Sequence, residues 1–149
     1  MVDTSYAVSG SVVVQASPAD VFAVLTDPRL HPVIDGSGTV RGQIVGPERL
    51  QRGSRFGMRM KLGVGYRISN SVVEYEQDRL VAWKHFAPHR WRYELVERDG
   101  GTEVTETFDY SRFPLPGVFA RTGIPERNRR SIDATLRRLK SYVENGPAD

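Results

Sequence analysis

The feature that most constrains this chain is its last quarter. Over residues 117–145 the spacing predicts one long helical segment, with Pro125 as the point where it kinks or restarts. On a helical wheel Pro125, Asn128, Ile132, Leu136, Leu139 and Val143 fall on one stripe. Arg127, Arg130, Arg137 and Arg138 fall on the other side. Such a helix hides its stripe only against another element. Between residues 6 and 110 nearly everything reads as strand except one short helical stretch. A sheet closed around one amphipathic helix encloses a large apolar surface. Where side chains do not fill that space, it becomes a pocket.

Local signals set the order of elements. Residues 6–15 are rich in Val and read as a strand. Ser17-Pro18-Ala19-Asp20 is a helix start: Ser17 caps, Pro18 suits the first helical position, and Asp20 favours the helix dipole. Asp27-Pro28 ends or bends that helix, and residues 30–34 form a second short one, broken by Asp35-Gly36-Ser37-Gly38. Six strands follow, over 39–45, 54–62, 66–76, 80–86, 90–97 and 102–110. Gly63-Val64-Gly65 is a tight reversal, and Asp99-Gly100-Gly101 is a hairpin signal. Pro114 and Pro116 make an extended link, and Asn145-Gly146-Pro147 is a stop. The expected class is α+β: an antiparallel sheet of about seven strands around a long C-terminal helix, with two short helices after strand 1. Residues 1–149 are expected to form a single domain.

Composition excludes several classes. No run approaches the ~18 apolar residues of a membrane span. Met1-Val2-Asp3-Thr4-Ser5 lacks the basic and apolar regions of a signal peptide, and there is no cysteine to form a disulfide or act as a nucleophile. The expected location is cytoplasmic. Net charge is +3, with 18 acidic residues nearly balancing 21 basic ones, so the whole chain is not a polyanion binder. The C-terminal segment is more basic: Arg121, Arg127, Arg129, Arg130, Arg137, Arg138 and Lys140 oppose Glu126, Asp133 and Glu144. A solvated helix face is the favoured reading of this excess; binding of nucleic acid or an anionic surface is the disfavoured one.

Three stretches carry a family resemblance. They are the run from Ser17-Pro18-Ala19-Asp20-Val21-Phe22 to Asp27-Pro28, then Val73-Glu74-Tyr75 leading to Leu80-Val81-Ala82-Trp83, and Thr105-Glu106-Thr107-Phe108-Asp109-Tyr110-Ser111. With these the chain resembles the Bet v 1-like (START/SRPBCC) superfamily, and within it the polyketide cyclase/dehydrase-like group found in actinobacteria. The resemblance implies a helix-grip fold; its members include lipid and hormone binders and aromatic polyketide cyclases. The family often carries a tryptophan near the end of the second short helix. Ile34 stands there, which implies a smaller, more aliphatic pocket mouth.

Candidate site residues come from strand parity. Trp91, Tyr93 and Leu95 share a face opposite Arg90, Arg92 and Glu94. Phe108 and Tyr110 share one with Val104; Phe56, Met58 and Met60 form another row. The cavity is expected to be lined by Ile34, Phe56, Met58, Met60, Asn70, Val72, Trp83, Trp91, Tyr93, Phe108, Tyr110, Phe119, Asn128, Ile132 and Leu136. Glu106 has the parity of Val104 and Phe108, so it points inward, where desolvation would raise its pKa. His85 has the parity of Trp83. His31 reads as a surface or lid residue. His85 and His89 do not share a helix face, and no histidine pair has a convincing metal spacing. No metal and no cofactor are expected. Residues 36–42 superficially resemble a phosphate loop but precede a strand, and no Gly-x-Ser-x-Gly elbow is present.

The leading expectation is binding of a small hydrophobic ligand, lipid-like or aromatic, between sheet and helix. The mouth would be formed by residues 30–38, 63–65 and 114–123. An alternative is a cyclase or dehydratase using Glu106, His85, Tyr93 and Tyr110 as acid/base groups. A second alternative is a regulatory or toxin-like role through the arginine-rich helix. A monomer or a homodimer suits all three.

Overall fold

The computed structural model describes residues 6–37, 40–62, 64–85 and 88–146, with side chains there except at 40–45, 58–62 and 64–68. In chain order the elements are β1 (Ala7–Val14), α1 (Pro18–Leu25), a single 3-10 turn (Pro28–Leu30), α2 (His31–Ile34), β2 (Val40–Val45), β3 (Arg55–Leu62), β4 (Val64–Glu76), β5 (Leu80–Lys84), β6 (Arg90–Arg98), β7 (Gly101–Asp109), α3 (Pro116–Phe119) and α4 (Ile124–Asn145). The local signals explain most boundaries. The Ser17 hydroxyl accepts from the Asp20 amide at 3.2 Å and caps α1. At the β6–β7 hairpin Asp99 and Gly100 both adopt positive φ, 44° and 81°, the backbone of a two-residue turn that matches sheet twist.

Seven strands form one antiparallel sheet in the order β1-β7-β6-β5-β4-β3-β2. Strands β2 to β7 run as a meander, and β1 pairs with the last strand, with Val8 opposite Phe108 and Gly10 opposite Glu106. In β4 the register against β5 shifts between Val72 and Glu74, a bulge that bends this long strand. The core unites Phe22, Leu25, Phe56, Val72, Trp83, Tyr93, Val104 and Phe108 with Ile132, Leu136 and Leu139 of α4.

The C-terminal segment is two helices, not one running from residue 117. Pro125 has no N–H to give the Arg121 carbonyl, and its ring would clash with that carbonyl, so a helix cannot run through 121–125. The chain turns at Thr122 and restarts at Ile124. From there α4 presents Ile132, Leu136 and Leu139 to the sheet as the wheel predicts, and the Gly146 amide closes it on the Tyr142 carbonyl at 2.9 Å.

Two close approaches seat α4. At Gly10 a Cβ would lie 2.7 Å from Asp133 Oδ1 and 3.1 Å from Ile132 Cγ2. At Gly36 it would lie 2.4 Å from the Thr135 backbone nitrogen and 2.5 Å from Ala134 Cβ. The same corner is hydrogen-bonded: the Gly36 amide donates to Thr135 Oγ1 and Arg138 Nη1 donates to the Asp35 carbonyl, both at 2.9 Å. Gly36 therefore pins the end of α2 to α4 instead of loosening an entrance. At the far end of α4, Lys140 Nζ donates to the Val13 carbonyl and the Gln15 amide donates to Glu144, each at 2.7 Å.

Because the atoms facing Gly36 are helix backbone and cannot swing aside, Gly36→Ala should destabilise the fold by about 1–3 kcal/mol in chemical denaturation. Gly123→Ala, with nothing within 4 Å of the added methyl, should stay within about 0.5 kcal/mol of wild type.

Candidate functional site

Antiparallel register places directly opposed residues on the same face of a sheet. One row runs Val8, Phe108, Trp91, Trp83, Val72 across five strands. The next runs Gly10, Glu106, Tyr93, Val81, Tyr75. Asn70 stands opposite Phe56 on the same face, two residues before Val72. This is the face that α4 covers, since Ile132 and Leu136 lie over Gly10. Glu106 is 3% exposed, and Tyr93 hydrogen-bonds its carboxyl. Gly10 beside it carries no side chain, so α4 sits low over this part of the row.

Burial governs the charge state here. Desolvation pushes the Glu106 carboxyl up to about 8; Tyr93 opposes this, and Asp35 and Asp133 reinforce it by repulsion. The Tyr93 hydroxyl is pushed well above its usual range, chiefly by burial, then by Glu106. At neutral pH the pair is a carboxylic acid beside a phenol, both uncharged, and one Glu106 oxygen, Oε1, has no hydrogen-bond partner among the described residues.

His31 is the residue that the sequence reading missed. Instead of lying on the surface it is 5% exposed, stacked on Trp83 at 4.8 Å between ring centroids and edge-on to Phe56 at 5.3 Å. Its Nε2 lies 2.9 Å from the Leu25 carbonyl. A carbonyl only accepts, so Nε2 carries the proton. Burial lowers the His31 pKa, leaving the ring neutral with Nδ1 as an acceptor that has no partner among the described residues. The available signal was helical spacing: His31 lies three residues before Ile34, which is 3% exposed and was expected inward.

Asn70 is fully buried, with Nδ2 donating a long 3.5 Å bond to the Phe56 carbonyl and Oδ1 unpartnered. A contact chain thus runs from Asn70 through Phe56, His31, Trp83 and Tyr93 to Glu106; the Trp83 and Tyr93 rings are 5.5 Å apart. At the other end of the face an aromatic group gathers Trp91, Phe108, Tyr110, Phe113 and Phe119. His89, 9% exposed, packs on Phe108 and Phe113. The fold brings His85 to His89, with ring centroids 5.0 Å apart, although spacing along the chain did not suggest a pair. Desolvation holds both low, His85 at about 3 and His89 at about 4, so both are neutral. Among the described residues no group of three or more His, Cys, Asp or Glu could hold a metal ion.

Other expected lining residues divide. Ile34, Phe56, Val72, Ile132 and Leu136 are buried in the core, and Phe119 packs against it. Asn128 is only half-buried, near the start of α4. The side chains of Met58 and Met60, and residues Gly38 and Gly63 of the expected mouth, lie outside the described residues. The basic side of α4 is partly neutralised by its own helix. Arg129 pairs with Glu126 and Asp133, Arg130 with Glu126, and Lys140 with Glu144.

A curved antiparallel sheet gripping a C-terminal helix is the helix-grip fold of the Bet v 1-like superfamily. Residues 5–144 match the family described as polyketide cyclase / dehydrase and lipid transport, and the chain belongs to that family. It is 43% identical over 147 residues to Rv0088 of Mycobacterium tuberculosis strain H37Rv, itself an uncharacterised protein. That alignment covers 95% of this chain but 66% of the relative, so the chain spans just under two thirds of its length. The fold is similar to the solution structure of the KanY protein (ms6282), with a TM-score of 0.72 and 21% identity over 93% of this chain and 97% of that one. It is also similar to Aha1 from Colwellia psychrerythraea, with a TM-score of 0.69 and 18% identity over 95% and 98%. No helix among the described residues is long and apolar enough to cross a membrane.

The buried ionisable groups predict a signed pH response. Folded Glu106 keeps its proton between its ordinary value of 4.5 and about 8, where the unfolded chain has lost it, so stability falls as pH rises through that window. The three histidines are held below 6.5, so their contribution is lost as pH falls below 6.5. Between pH 6.5 and 8 Glu106 lowers stability by about 1–2 kcal/mol, while the histidines regain the last part of theirs, about 0.4 kcal/mol each. A pH series of thermal melts should show the stability difference between wild type and Glu106→Gln falling by about 1–2 kcal/mol over this window.

Proposed function

We propose that this protein binds a small hydrophobic ligand, aromatic or lipid-like, between the concave sheet face and α4. The observation that carries this reading is the acid-phenol pair of Glu106 and Tyr93, set uncharged within an otherwise apolar and aromatic face. A buried carboxyl with an unpartnered oxygen is costly unless something meets it. Family membership points the same way, toward polyketide and lipid chemistry.

Affinity arithmetic shows why polar anchors matter. Burying ~300 Å² of apolar ligand at ~25 cal/mol/Å² yields ~7.5 kcal/mol. Loss of ligand freedom removes at least ~4 kcal/mol. The remainder supports only millimolar binding. One or two hydrogen bonds of about 1–1.5 kcal/mol each bring it toward a useful range.

Both tryptophans of the chain, Trp83 and Trp91, stand in one row of this face. The neutral probe N-phenyl-1-naphthylamine should therefore quench their emission saturably with a micromolar dissociation constant, about 1–100 µM. Native mass spectrometry of the purified protein should show an adduct that disappears on denaturation. The absence of both saturable quenching and an adduct would count decisively against the pocket.

The shifted Glu106 carboxyl favours a second reading, a cyclase or dehydratase in which Glu106 donates or accepts a proton near neutral pH. On that reading Glu106→Gln removes turnover of a polyketide-like substrate while leaving ligand affinity within about threefold, as expected for a group acting in the transition state. Equal losses of turnover and affinity would leave Glu106 a binding group only. The self-paired arginines of α4 give the surface reading less support.

A further inference from the structure

Among the described residues four buried polar atoms are orphaned; the three on this face share a chemical bias, and the fourth, His85 Nδ1, lies by His89 beyond β5. His31 Nδ1 is an acceptor, because Nε2 holds the ring proton against the Leu25 carbonyl. Asn70 Oδ1 is an acceptor, because Nδ2 is turned to the Phe56 carbonyl. Glu106 Oε1 donates or accepts according to how the Tyr93 hydroxyl is turned. All three side chains are at least nine-tenths buried, and they lie along one chain of contacts through Phe56, Trp83 and Tyr93.

What is missing from the face matters equally. The buried polar and charged residues are Thr26, His31, Asn70, His89, Thr102, Glu106, Thr107, Asp109 and Thr135; among the described residues no lysine or arginine is buried. Asp35 and Asp133 both repel negative charge at Glu106. Among the described residues a carboxylate seated here would meet two acceptors and no buried counter-ion, and a buried unpaired charge is far costlier than a buried hydroxyl.

We propose that His31 Nδ1, Asn70 Oδ1 and Glu106 Oε1 form an acceptor-led recognition strip. It selects an uncharged apolar skeleton bearing at least two hydrogen-bond donors, such as a dihydroxylated aromatic, and rejects the carboxylate of the same skeleton. This rests on the pocket proposed above and narrows what it takes.

The test is a matched series at pH 7, followed by tryptophan quenching and calorimetry: 2-methylnaphthalene, 2-naphthol, 2,6- and 2,7-dihydroxynaphthalene, and 2-naphthoate. At least one diol should bind about tenfold or more tighter than the hydrocarbon, and the naphthoate no better than the hydrocarbon. His31→Phe keeps a ring against Trp83 without the acceptor, and Asn70→Leu removes the other acceptor. Each should lose about tenfold for that diol and leave 2-methylnaphthalene within about threefold. The wild-type series decides the matter even where one variant folds poorly. If hydrocarbon and diols bind equally, or naphthoate matches the diols, the recognition strip is overturned while the pocket stands. If nothing in the series binds, the pocket itself falls and the strip with it.

Discussion

The fit of α4 onto the sheet at Gly10 and Gly36 is the contact on which the rest depends. At both points a single added carbon would meet the helix, so the helix lies lower over β1 and against the end of α2 than any side chain would permit. That closeness shuts off one side of the concave face and leaves Glu106, opposite Gly10, without water. The 35–36 corner is then held by the Gly36–Thr135 and Arg138–Asp35 hydrogen bonds, and the far end of the helix by Lys140 and Glu144 on β1. Packing and polar ties therefore fix the helix at its middle and toward its C-terminal end.

Electrostatics follow from that enclosure. Desolvation is the largest cause of the shifts at Glu106, Tyr93, His31, His85 and His89 alike. Acid and base groups converge on the same outcome, neutrality, because a low dielectric disfavours either sign. The face is thus apolar in charge yet rich in hydrogen-bonding atoms. On the proposed reading such a surface would distinguish ligands by the placement of donors and not by net attraction.

Much of this was legible in the chain. Alternation put Trp91, Tyr93 and Leu95 on one side, and parity with Val104 and Phe108 turned Glu106 inward. Ser17, Asp99 and Gly100 announced their cap and turn because those conformations depend on neighbours one to three residues away. The misses share a different character. His31 looked superficial because its neighbours in sequence, Arg29 and Val33, are exposed; its burial comes from Phe56 and Trp83, which arrive from other strands. His85 and His89 meet across a loop, and Phe113 joins them from beyond β7. The restart expected at Pro125 is present, and there the missing amide separates α3 from α4.

By itself the sequence determined the elements, their order and which face of each is apolar, since periodicity, caps and turns act over a few residues. Tertiary structure alone decided which of the inward polar groups stand together and in what charge state. Glu106 is a neutral acid only because α4, lying close over Gly10, shields it from solvent and because Asp35 and Asp133, distant in sequence, repel its charge. Desolvation and Coulomb repulsion depend on distance in space, and those distances exist only once α4 has closed on the sheet.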